Sequence, residues 1–124
     1  MAEISFDGKK YALLYNGNAF FKLRDMLPEG VNVSDALMKN DFETHCRIAA
    51  VMAEQGELDR RADGHEKQDF LNTDRLLVKA TATEALAIQF ALIAALTDGL
   101  HREKTPDENE DIDLGLAELS KKKE

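Results

Sequence analysis

Residues 84–100, Glu-Ala-Leu-Ala-Ile-Gln-Phe-Ala-Leu-Ile-Ala-Ala-Leu-Thr-Asp-Gly-Leu, constrain this chain more than any other stretch. Alanine and leucine favour helix, Glu84 suits the positive end of the helix dipole, and Gly99 is a plausible stop. The spacing therefore predicts a helix over 84–100 that is apolar on two sides. Leu86, Phe90, Ile93 and Leu100 line one side, and Ile88, Leu92 and Leu96 line another. A helix apolar nearly all round must be covered nearly all round, by its own core or by a partner. The stripe Leu86, Phe90, Ile93 and Leu100 is the candidate partner-binding surface, and its alternative is a second core face. The nearly apolar run 85–96 contains Gln89 and falls short of the roughly 20 residues that cross a bilayer, so no membrane span is expected.

The rest of the chain has little with which to bury that helix. Its 124 residues, 44% of them hydrophobic, suffice for one modest core and not for two. The expected organisation is one domain over residues 1–102 and a disordered acidic tail over 103–124, where composition turns sharply polar and charged. A net charge of -8 repels phosphates and disfavours nucleic-acid binding. The single cysteine, Cys46, excludes an internal disulfide framework and suits a reducing compartment. The first residues lack the basic flank and apolar run of a secretory signal, so the expected location is the cytoplasm.

Along the chain, residues 3–6 alternate polar and apolar, Asp7-Gly8 is a type I′ turn pair, and residues 10–15 are rich in aromatic and aliphatic side chains. A short β-hairpin is predicted, with Ile4, Phe6, Tyr11 and Leu13 on its apolar side. Two strands alone are marginal in water, so that side must lie on helices or extend a sheet shared with other subunits. Asn18 is expected to cap a helix carrying Phe20, Leu23 and Leu27 on one face, with Pro28-Glu29-Gly30 ending it. Ser34 is expected to cap a short turn. Asn40-Asp41 opens a long helix that stops at Gly56, with Phe42, Cys46, Ala49 and Ala53 on its core side. The charged stretch 57–68 reads as a loop or frayed surface helix with no core role, and a short helix capped near Asn72-Thr73 follows within 69–80. The fold class is mainly α with an N-terminal β-hairpin, α+β.

Catalytic chemistry has no visible carrier. Neighbours His45 and Cys46 diverge by about 100° on a helix and cannot act on one atom. His65-Glu66 lacks a second histidine four residues on, and His101 sits at a helix end where a cation favours the dipole. The glycines are too scattered to cradle phosphate. Carboxylates such as Glu57 with Asp59, or Asp107 with Glu108, read as solvated surface. No catalytic residue, metal ligand or cofactor is expected, and the chain is read as a binding protein and not an enzyme.

The order of parts resembles a tail assembly chaperone of a long-tailed bacteriophage or prophage. The resemblance is carried by the hairpin Ile4-Ser5-Phe6-Asp7-Gly8-Lys9-Lys10-Tyr11-Ala12-Leu13, the helix start Asn18-Ala19-Phe20-Phe21-Lys22-Leu23 and the alanine-rich helix at 85–96. It covers residues 4 to about 100 as a pattern of residue types. It implies a small helical protein of the host cytoplasm, absent from the mature virion, that binds the tape measure protein, keeps it soluble and helps recruit tail tube protein subunits. Many members of that family also have a longer form made by a programmed frameshift; an adenine-rich slippery run can encode Lys121-Lys122-Lys123, so this chain is expected to be the short form. A homo-oligomer is compatible with these expectations. The alternatives are a structural tail or tube subunit joined through the hairpin edge, and a small regulatory adaptor or antitoxin unrelated to phages.

Overall fold

The computed structural model describes residues 1–103, and these form a hairpin followed by five helices. Strand β1 (Glu3–Phe6) pairs antiparallel with β2 (Lys9–Ala12) in the register Ile4 to Tyr11 and Phe6 to Lys9. Asp7 and Gly8 both take positive φ, 56° and 77°, as a type I′ turn requires. Ile4, Phe6, Tyr11 and Leu13 are all buried, as the alternation predicts.

The helices begin at asparagine, aspartate and threonine side chains. For α1 (Gly17–Met26) the cap is Asn16, whose Oδ1 accepts from the Ala19 N–H at 2.9 Å. Asn18, the expected cap, instead sends its amide to Gln55 Oε1 at 3.4 Å. The cap of α2 (Val33–Met38) is Asn32 and not Ser34, with the Asp35 N–H donating at 2.8 Å. In both cases several capping residues lie within a few positions of one another. Local propensity does not rank them; at α1 both asparagines also reach Gln55 of α3. Asp41 caps α3 (Phe42–Ala62) and Asn72 caps α4 (Thr73–Lys79) as expected. The last helix, α5 (Ala82–Glu103), opens on a capping box: Thr81 Oγ1 accepts from Glu84 N–H at 3.1 Å, and Glu84 Oε1 accepts from Thr81 N–H at 2.9 Å.

Helix α3 is the centre of the molecule and packs against all four other helices and β2. It does not stop at Gly56 but runs on to Ala62. Gly56 is a packing residue: a Cβ there would sit 2.0 Å from the Ala12 carbonyl oxygen. The approach is so close that the Leu14 N–H donates to the Met52 carbonyl of the helix at 3.0 Å. Gly99 repeats the arrangement in α5, where a Cβ would lie 2.5 Å from the Tyr15 carbonyl oxygen, and that helix also continues past its expected stop. Both glycines are needed because helix and backbone touch there.

The stretch after Gly56 also differs from expectation. Glu57 lies in α3, its side chain 5% exposed, and holds the following loop. Its carboxylate accepts from Arg60 at 2.6 Å, from Arg61 at 2.8 Å and from the Gln68 N–H at 2.7 Å. The Gln68 amide in turn donates to the Lys10 carbonyl at 2.9 Å, so the charged segment read as surface ties the loop to the hairpin. Leu71 and Leu76 then close the core beside α3. The expected tail, with its apolar residues Ile112, Leu114, Leu116 and Leu119, and the lysine run lie outside the described residues.

Candidate functional site

Helix α5 is divided lengthwise. Ile88, Leu92, Ala95 and Gly99 are buried against α3 and its neighbours. Gln89 is fixed by donating its amide to the Leu37 carbonyl of α2 at 2.7 Å. On the far side Leu86 is 55% exposed, Phe90 64% and Leu100 45%, while Ile93 is half-buried at the margin of the core. The structure thus brings all four predicted residues onto one side and turns three of them to solvent. Leu96, grouped with the other face, is half-buried.

The spacing of the exposed side has a meaning that counting apolar residues misses. Thr83, Leu86, Phe90, Ile93, Thr97 and Leu100 recur at intervals of three and four, the a/d repeat by which one helix seats against another. Thr83 and Thr97 are exposed like Leu86, Phe90 and Leu100, and the Thr97 hydroxyl donates to the Ile93 carbonyl at 3.0 Å. Ala87 and Ala94 flank the seam on its solvent side and are small enough for a second helix to approach closely. Apolar surface in this arrangement fits a helix better than an extended peptide, which reads alternate residues along a sheet edge.

Over Ala82–His101, 20 residues with mean hydropathy 1.3, α5 is long and apolar enough to cross a membrane by length and composition alone, a longer stretch than the apolar run 85–96. The helix outgrows that run because it passes through Gly99. Its inner face is nevertheless part of the core, and a crossing would tear Ile88 and Leu92 from α3 and Gly99 from Tyr15.

The remaining chemistry is structural. Cys46 is buried and its thiol is pushed up to about 11 by burial, which leaves it protonated and inert. His45 is buried as well, donating Nε2 to the Ala36 carbonyl at 3.3 Å. Burial raises the pKa of Glu57, but the Gln68 N–H and the Arg61 and Arg60 side chains outweigh it and hold the carboxyl at about 2. Among the described residues no three His, Cys, Asp or Glu side chains converge as metal ligands. A cleft of 340 Å³ beside α1, lined by Tyr15, Phe20, Leu23, Leu27 and Val31, is apolar apart from Arg24 and its edge asparagine. Of the three residues expected to share a face, Leu23 and Leu27 are buried and Phe20 is 44% exposed. It stacks edge-on with Phe21 at 5.1 Å, and the Arg24 guanidinium lies 4.9 Å from the Phe21 ring. At about 100° per residue Phe20 falls at the margin of the face that buries Ala19 and Leu23, and Phe21 falls opposite it.

Comparison with known proteins finds no matching family model, no similar curated protein and no similar solved structure.

Proposed function

We propose that this chain is a binding protein that holds an amphipathic helix against α5, and that the helix belongs to a client kept soluble by the contact. The observation that carries this reading is the seam at helix-pairing spacing in which Leu86, Phe90 and Leu100 face solvent and Ile93 lies half-buried beside them. The resemblance to tail assembly chaperones supplies the identity of the client. In that reading the seam takes helices of a phage tape measure protein, and the acidic surface keeps the loaded complex dispersed.

The alternative of a tail or tube subunit polymerising through its hairpin gains little support from the geometry. Strand β1 packs against α5, and the outward Lys10 carbonyl of β2 is already taken by Gln68.

Co-expression with a candidate tape measure protein tests the proposal. The wild-type chain is expected to keep the client in the soluble fraction and to co-purify with it, whereas a folded Phe90→Glu variant loses both effects. A tape measure protein equally soluble without this chain overturns the reading.

A further inference from the structure

The α5 seam is complementary to itself, but in one direction only. When two copies of the helix run antiparallel, a positions pack against d positions of the other copy. Aligning Phe90 with Ile93 of the second copy brings Leu86 onto Thr97 and Thr83 onto Leu100, and the same three layers recur in reverse order beyond the two-fold axis. Every layer then joins a large apolar side chain to a threonine, or phenylalanine to isoleucine. A parallel pairing stacks Phe90 on Phe90 and sets threonine on threonine at two layers. It also places like helix ends together, where the antiparallel pairing joins opposite ends of the dipoles.

The approach is open. The seam lies across the helix from Ile88, Leu92, Ala95 and Gly99, which hold α5 to its own domain. Ala87 and Ala94 leave room beside it.

We infer that a second copy of this chain covers the seam in the resting protein, α5 against α5 in antiparallel register, and that a helical client displaces it. The displacement rests on the binding reading above, whereas the pairing does not. The seam spans residues 83–100, about 26 Å along a single helix, where a stable interface draws on roughly 20–30 residues a side, so the pair is weak and concentration-dependent.

Cysteine cross-linking of the full chain, without any client, reads the register directly. Buried Cys46 does not compete. In the antiparallel pair Leu86 faces Thr97 and lies about 16 Å along the axis from its own copy, beyond the roughly 7 Å limit for a disulfide. A mixture of Leu86→Cys and Thr97→Cys chains should therefore form a linked heteropair under mild oxidation, while Leu86→Cys alone stays unlinked. In sedimentation equilibrium, the wild-type chain should shift from monomer toward dimer as concentration rises, and Phe90→Glu should remain monomeric with an unchanged far-UV spectrum. Efficient linkage of Leu86→Cys to itself, or a wild-type chain monomeric at every concentration, overturns the pairing. A monomeric chain that still keeps the tape measure protein soluble overturns the pairing and leaves the proposed function standing. An antiparallel cross-link in a chain with no effect on that client does the reverse.

Discussion

Helices α3 and α5 are nearly equal in length, 21 and 22 residues, yet they use their side chains in opposite ways. The more charged helix, α3, is the more deeply buried: nine of its residues are buried, among them His45, Gln55 and Glu57. The more apolar helix, α5, leaves Leu86, Phe90 and Leu100 in water. Burial here follows position in the packing and not hydrophobicity. The polar residues of α3 are tolerated because each has partners: Ala36 for His45, Asn16 and Asn18 for Gln55, and two arginines and a backbone amide for Glu57. Leu86, Phe90 and Leu100 of α5 lie outside the core and the side chains packed at its margin, and this surplus is what a binding surface looks like.

Five substitutions break or sharpen that contrast. The largest effect is expected on the inner face of α5, where Leu92→Ala should cost about 3 kcal/mol in urea unfolding because the side chain is fully buried. Gly56→Ala comes next. Alanine gains up to about 1 kcal/mol of helix propensity, but its Cβ meets backbone at 2.0 Å, and a net loss of about 2 kcal/mol is expected. Gly17→Ala, with open space around it, should lose no stability in the same assay.

Glu57→Gln should cost about 2 kcal/mol through weakened charged hydrogen bonds. It also changes the pH dependence. The Glu57 carboxyl is held at about 2 in the folded chain, below its ordinary 4.5, so its contribution is complete above pH 4.5 and is lost as pH falls from there toward 2. Thermal unfolding followed across that window should show a shallower acid loss in Glu57→Gln than in wild type. An unchanged slope would mean that the clasp does not hold the loop. Only a small effect on stability is expected on the outer face of α5, where Phe90→Ser should shift unfolding by under about 0.5 kcal/mol. If Phe90→Ser proved as damaging as Leu92→Ala, the two-faced description of α5 would fail.

Much of the fold is legible locally. The hairpin follows from alternation and Asp7-Gly8, and the starts of α3 and α4 follow from Asp41 and Asn72, because turn and cap chemistry act over a few residues. The candidate stripe was also legible, since helical period places Leu86, Phe90, Ile93 and Leu100 together wherever the core lies. What remained hidden depends on distant partners. Gly56 and Gly99 look like helix stops until Ala12 and Tyr15 are set against them. Glu57 looks solvated until Gln68 folds back over it.

The sequence by itself determined the element types, the apolar side of the hairpin and the existence of a two-faced α5, because these arise from steric and hydrogen-bonding preferences within a turn or two of chain. Only the tertiary structure decided which face of α5 is core. Both faces are apolar enough to be buried, and the choice went to the one bearing Gly99, whose missing side chain lets the helix close on Tyr15 and leaves the Phe90 seam outside.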